Sequence, residues 1–118
     1  MNSEVIQKKI DNLYYWDMPV TKLTCDHFAD QVILTYKSDE GYVNYVFNNC
    51  YRIEFEHSTS YIKDKPIKEL KFSQIPYFLQ KVVISEVEIG GDKFYHCNIN
   101  MPPLTAEIIC KYIEADAF

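Results

Sequence analysis

Glycine is scarce in this chain, three residues in 118, and two of the three are adjacent. So little glycine leaves no room for flexible linkers or low-complexity repeats. With 47% hydrophobic and 25% charged residues, the composition is that of a folded domain. Basic residues are also in the minority, 12 against 17 acidic ones, for a net charge of −5. Gripping a phosphate backbone calls for clustered Lys and Arg, so no direct nucleic-acid contact is expected and a basic protein partner suits the chain better.

No apolar run is long enough to span a bilayer, and the opening residues MNSEVIQKKIDN lack the hydrophobic core of a signal peptide. A cytoplasmic location without membrane association is the expectation. Cysteines 25, 50, 97 and 110 should then be reduced, and small buried hydrophobes are their commonest role. Also missing are a Cys-x-x-Cys pair, a Gly-rich phosphate loop, a nucleophile elbow and a His-Glu-x-x-His helix. No catalytic residue, metal or cofactor is therefore expected.

What is present is aromatic and strand-like: ten Tyr and seven Phe in a length suited to one domain spanning residues 1–118. Ser3 can cap a short helix over 4–13, with Ile6, Ile10 and Leu13 on one face. The segment YYWDMPV breaks that helix at Pro19, and Tyr14, Tyr15 and Trp16 are expected to pack over one end of the core.

In QVILTYKSDEGYVNYVFNNCYRIEFEHS, a turn at SDEG pairs Lys37 with Tyr42, Tyr36 with Val43, Leu34 with Tyr45 and Val32 with Phe47. A three-residue connection at Asn48, Asn49 and Cys50 would then start a third strand carrying Tyr51, Ile53, Phe55 and His57 inward. A two-residue connection would instead bury Arg52, Glu54 and Glu56, which desolvation disfavours. The second hairpin, VVISEVEIGGDKFYHCNINM, turns at Gly90-Gly91. It pairs Glu88 with Lys93, Glu86 with Tyr95, Ile84 with Cys97, and Val82 with Ile99.

Between the hairpins, YIKDKPIKEL reads as a basic loop leading into a strand, and SQIPYFLQ as one or two helical turns. At the end, Leu104, Ala106, Ile108, Cys110 and Tyr112 alternate at strand period, which outweighs a helical clustering of Ile108, Ile109, Tyr112 and Ile113. The fold class expected is α+β, predominantly antiparallel β, a sandwich or half-barrel of hairpins with one or two short helices.

Two stretches carry chemical residue types, CDHFAD at 25–30 and YHC at 95–97. Thiolate and imidazole both suit zinc, so Cys25, His27, His96 and Cys97 are the candidate metal or Cys/His enzyme set. Adjacent strand residues point to opposite faces, however, and Asp26 beside Cys25 opposes a reactive thiolate. The plainer reading makes CDHFAD the entry to the first core strand, with Asp26 and Asp30 solvated, Phe28 an apolar anchor, and Cys25 or His27 partly buried. The third strand would stack Glu56 beside Tyr42 and Glu54 beside Asn44, a mixed surface of the kind that binds proteins.

The segments YYWDMPVTKL, FADQVILTY, YVNYVFNNCYRIEF and KELKFSQIPYFLQ together resemble small bacterial proteins, of Bacillus type, among the immunity proteins of polymorphic toxin systems. That resemblance implies a cytosolic, cofactor-free binder of a toxin domain, often a basic nuclease. On this expectation the partner is a basic cognate toxin domain. Asp39, Glu40, Glu54, Glu56, Glu86 and Glu88 would steer the encounter, and Tyr42 would anchor it. The alternatives are the metal or enzyme site above, and a ligand-binding or oligomeric β domain.

Overall fold

Asn2, one residue ahead of the expected cap, starts the helix: its Oδ1 accepts from the backbone N–H groups of Glu4 and Val5 at 3.0 and 3.4 Å. Helix α1 runs Ser3–Asn12 and buries Ile10 completely, with Ile6 and Leu13 packed beside it. The helix ends well before Pro19, because Tyr14 takes a left-handed conformation at φ 53°. Pro19 lies instead in an extended stretch opposite Phe78. Of the three aromatics that follow the helix, only Tyr15 packs against the core; Tyr14 and Trp16 are more than half exposed.

This is a computed structural model, and it describes residues 2–59, 66–71 and 77–118. Six strands follow α1: β1 Val20–Asp26, β2 Gln31–Ser38, β3 Gly41–His57, β4 Lys81–Ile89, β5 Asp92–Met101 and β6 Leu104–Ala117. They form one antiparallel sheet in the order β1-β2-β3-β6-β5-β4. The chain entering β1 also pairs with the chain entering β4: Val20 donates to the Tyr77 carbonyl at 2.9 Å and Leu79 to the Met18 carbonyl at 3.0 Å. The two edges therefore meet at one end, and the sheet rolls into a half-barrel around a single core. Fold class and antiparallel character match the expectation from sequence.

Both hairpins have the expected register. Tyr36 pairs with Val43, Leu34 with Tyr45 and Val32 with Phe47, all six buried. In the second, Ile84 pairs with Cys97 and Val82 with Ile99, closed by Gly90 and Gly91, both at positive φ. Inside the half-barrel the Tyr36 and Tyr45 rings meet edge-on at 5.4 Å, and burial pushes both phenols up.

The expected connection at residues 48–50 does not form. Asn49 adopts φ 56° and Tyr51 enters as an extra residue, because Cys50 faces Cys110 while Arg52 already faces Ile109. A β-bulge thus replaces the turn, and β3 continues as one strand of 17 residues. The bulge absorbs the change of parity that a turn would have provided, so Ile53 still reaches the core and Arg52, Glu54 and Glu56 stay outside. Tyr51, Phe55 and His57, expected inward, are exposed, because no second layer covers this half of the strand among the described residues.

CDHFAD ends β1 with Cys25 and Asp26 and then turns through residues 27–30 into β2, the first core strand, so the segment does enter that strand but does so from a preceding strand. His27, Phe28 and Ala29 all take positive φ; Phe28, expected as an anchor, is fully exposed, and Cys25 and His27, expected to be partly buried, are exposed too. Of the segments between the hairpins, Ile67–Glu69 forms a single 3-10 turn and residues 77–80 run extended. The helical turns expected at 73–76 and the loop at 60–65 lie outside the described residues.

Candidate interaction surface

Asp39, Glu40 and Tyr42 lie together at the β2–β3 turn. The Ser38 hydroxyl shapes this turn by donating to the Gly41 carbonyl at 3.1 Å while accepting from the Glu40 N–H at 3.4 Å. Gly41 is required sterically: a Cβ there would sit 2.8 Å from the Phe118 carbonyl oxygen, at a φ of 149° that side chains rarely adopt. With that space open, Tyr42 and Phe118 exchange backbone hydrogen bonds of 3.1 and 2.8 Å and stack their rings at 5.9 Å.

Across from this pair stands the end of α1. Asn12, Leu13 and Tyr14 line the same cleft as Asp39, Glu40, Tyr42 and Phe118, a hollow of about 520 Å³. Tyr14, Tyr42 and Phe118 are 56, 40 and 71% exposed. Exposed aromatic rings edged by carboxylates offer large contact area at low entropic cost together with an attractive field for cations.

The other expected partner residues lie elsewhere. Glu54 and Glu56 sit beyond the bulge, 12 and 14 residues along β3 from Tyr42, which at strand rise is roughly 35–45 Å. The expected rows placing them beside Tyr42 and Asn44 are thereby overturned; Tyr42 and Asn44 have Phe118 and Asp116 as neighbours. Glu54 faces Glu107, and Arg52 bridges the two at 2.8 and 3.3 Å. His96 Nε2 adds a contact of 3.3 Å to Glu107, close enough for an ion pair but not aligned for a hydrogen bond.

Glu86 is occupied in holding the helix: its Oε2 accepts from Ser3 Oγ at 3.1 Å. Gln7 completes the clamp, receiving the Ile84 N–H and donating 2.9 Å to the Val82 carbonyl, which covers the free edge of β4. Glu88 is exposed opposite Lys93 at the end of the second hairpin.

The Cys/His set does not converge. Cys25 and His27 belong to the β1 end, while His96 and Cys97 are on β5, with β2, β3 and β6 between. His96 and Cys97 face opposite sides of the sheet, and burial pushes the Cys97 thiol up, holding it neutral in the core. Among the described residues, no group of three or more His, Cys, Asp or Glu is placed to hold a metal ion, and no helix is long and apolar enough to cross a membrane.

Sequence reasoning missed Tyr14, Phe118, Tyr51 and Tyr112 as surface aromatics. Tyr14 continues the helical stripe four residues after Ile10, but its left-handed backbone turns it outward. Phe118 shares the outward parity of Asp116, which is legible only once β3 is known to pair with β6.

A crystal structure titled as that of an uncharacterized protein from Neisseria gonorrhoeae has the same fold. Its TM-score is 0.61 at 12% identity, covering 88% of this chain and 94% of that one. A search of curated proteins finds no match. The family model of immunity protein PIM7 matches residues 2–117, so this chain belongs to the PIM7 family of immunity proteins.

Proposed function

We propose that this protein is a non-catalytic binder that neutralises a cognate toxin domain, using the cleft end of the molecule. The observation that carries this reading is membership of the immunity family along nearly the whole chain. The choice of surface is supported by the cleft itself, where three exposed aromatic rings stand beside Asp39 and Glu40. Tyr42 is the anchor, presented by its stack on Phe118, while Asp39 and Glu40 draw a basic partner in and speed its arrival. The partner is a basic toxin domain, such as a nuclease, and the complex forms in the cytoplasm. Glu54 and Glu56, at the opposite end of β3, and Glu88, at the hairpin tip, add to the negative field that steers the encounter. Glu86 lends its charge to the same field from its place against the helix.

The test is binding to the variable C-terminal domain of a secreted protein encoded beside this one. Tyr42→Ala should weaken affinity by about 30-fold or more, as expected of a buried aromatic anchor. Reversing Asp39 and Glu40 to Lys should slow association about tenfold at low salt and less at high salt. Reversing Glu54 and Glu56 gives a smaller slowing. Unchanged affinity in Tyr42→Ala would remove the cleft as the interface, and failure of the wild type to bind that domain would remove the function.

A further inference from the structure

Cys50 and Cys110 face each other directly across the β3–β6 ladder, and toxin binding as proposed uses neither. The Cys50 N–H donates to the Asp30 carbonyl at 3.0 Å, on the β2 side of the strand. Since the N–H and C=O of a strand residue point the same way, Cys50 and Cys110 form a non-hydrogen-bonded pair. Such pairs bring Cα atoms to about 4.5 Å, with the side chains at their closest. That separation falls inside the roughly 4.4–6.8 Å that a disulfide spans.

Both thiols are free, and they lie within hydrogen-bonding reach of each other. Each otherwise donates to a backbone carbonyl, Cys50 to Phe47 at 3.5 Å and Cys110 to Tyr112 at 3.6 Å. Cys110 is fully buried, whereas Cys50 is half-buried beside exposed Asn49 and Tyr51, so a reagent meets Cys50 first. The rival pairs are worse placed. Cys97 is diagonal to Cys110, at about 7–8 Å by strand geometry, beyond easy bridging. Cys25 lies at the β1 turn.

We propose that Cys50 and Cys110 form a thiol–disulfide exchange site whose oxidation by a small disulfide closes an intramolecular bridge across the centre of the sheet. The Cys50 thiolate attacks one sulfur of the oxidant, forming a mixed disulfide and releasing one thiolate. Cys110 gives its proton to that thiolate and attacks the Cys50 sulfur, which expels the second. The protein loses two hydrogens, and the oxidant is reduced to two thiols. Burial divides the roles in this order: a reagent reaches half-buried Cys50, and Cys110 stands behind it in the core. Pairing with Cys50 and burial push the Cys110 thiol up, which keeps it protonated until the mixed disulfide forms.

The experiment uses the full reduced chain, incubated with excess oxidised glutathione, then denatured, alkylated and weighed intact. The expected product is lighter by two hydrogens before alkylation, carries two alkylatable cysteines in place of four, and yields a peptide joining Cys50 to Cys110. Cys25→Ser should give the same bridge. Cys50→Ala, at the half-buried and more tolerant position, should abolish it, with the fold checked by circular dichroism. A stable glutathione adduct on Cys50 without bridging, a bridge to Cys25 or Cys97, or four alkylatable cysteines throughout would each overturn the proposal.

Discussion

The two halves of β3 live in different surroundings. From Gly41 to Asn48 the strand has β2 on one side and β6 on the other, and Val43, Tyr45 and Phe47 are at most 1% exposed. From Cys50 to His57 its only partner among the described strands is β6, and Cys50 and Ile53 reach the core only in part. One strand thus serves as a core element and then as a surface carrier. The switch occurs where Asn49 turns left-handed and Tyr51 is inserted. The bulge lets one continuous strand keep Cys50 and Ile53 against the core despite a break in alternation, while Tyr51 and Phe55 stay exposed.

The sharpest way to break this contrast is to empty the first half. Phe47→Ala should cost about 3–5 kcal/mol, seen as a large fall in the urea midpoint, because a fully buried ring leaves a cavity between β2 and β6. Ile53→Ala, its counterpart beyond the bulge, should cost only about 1–2 kcal/mol, since a half-buried side chain leaves an open dent. Equal losses at the two positions would mean that the halves are equivalent after all.

The bulge itself gives the next effect. Asn49→Val should cost about 1–2 kcal/mol, because a β-branched residue resists φ near 56°, while Asn49→Gly should be close to neutral. Smallest is the exposed cluster: Arg52→Ala should cost about 0.5–1 kcal/mol by leaving Glu54 and Glu107 face to face, and the loss should shrink in high salt.

The same contrast explains which parts of the fold could be read from the chain. Tyr36 with Val43 and Ile84 with Cys97 were legible because a short turn fixes register, and a slip by one residue would expose every apolar side chain. β6 was legible as a strand from its alternation, but its place between β3 and β5 was not. That place depends on partners such as Arg52 and Ile109, far apart in sequence. β1 was not anticipated, because Thr21, Lys22, Thr24 and Asp26 dilute its apolar pattern, and its turn uses His27, Phe28 and Ala29 in conformations their side chains do not advertise.

The candidate surface divides along the same line. That Asp39, Glu40 and Tyr42 are neighbours was legible because a local turn groups them. Glu54 and Glu56 were drawn to Tyr42 by a connection that the chain passes through without turning. Phe118 and Tyr14 join Tyr42 only through the β3–β6 ladder and the turn after α1. The sequence by itself determined the antiparallel class, both hairpin registers, the helix face and the acidic charge balance, since alternation, turn chemistry and charge act between neighbours. Only the tertiary structure decided the strand order, the bulge, the aromatic cleft and the meeting of Cys50 with Cys110, because these contacts form between segments whose residues carry no mark of one another.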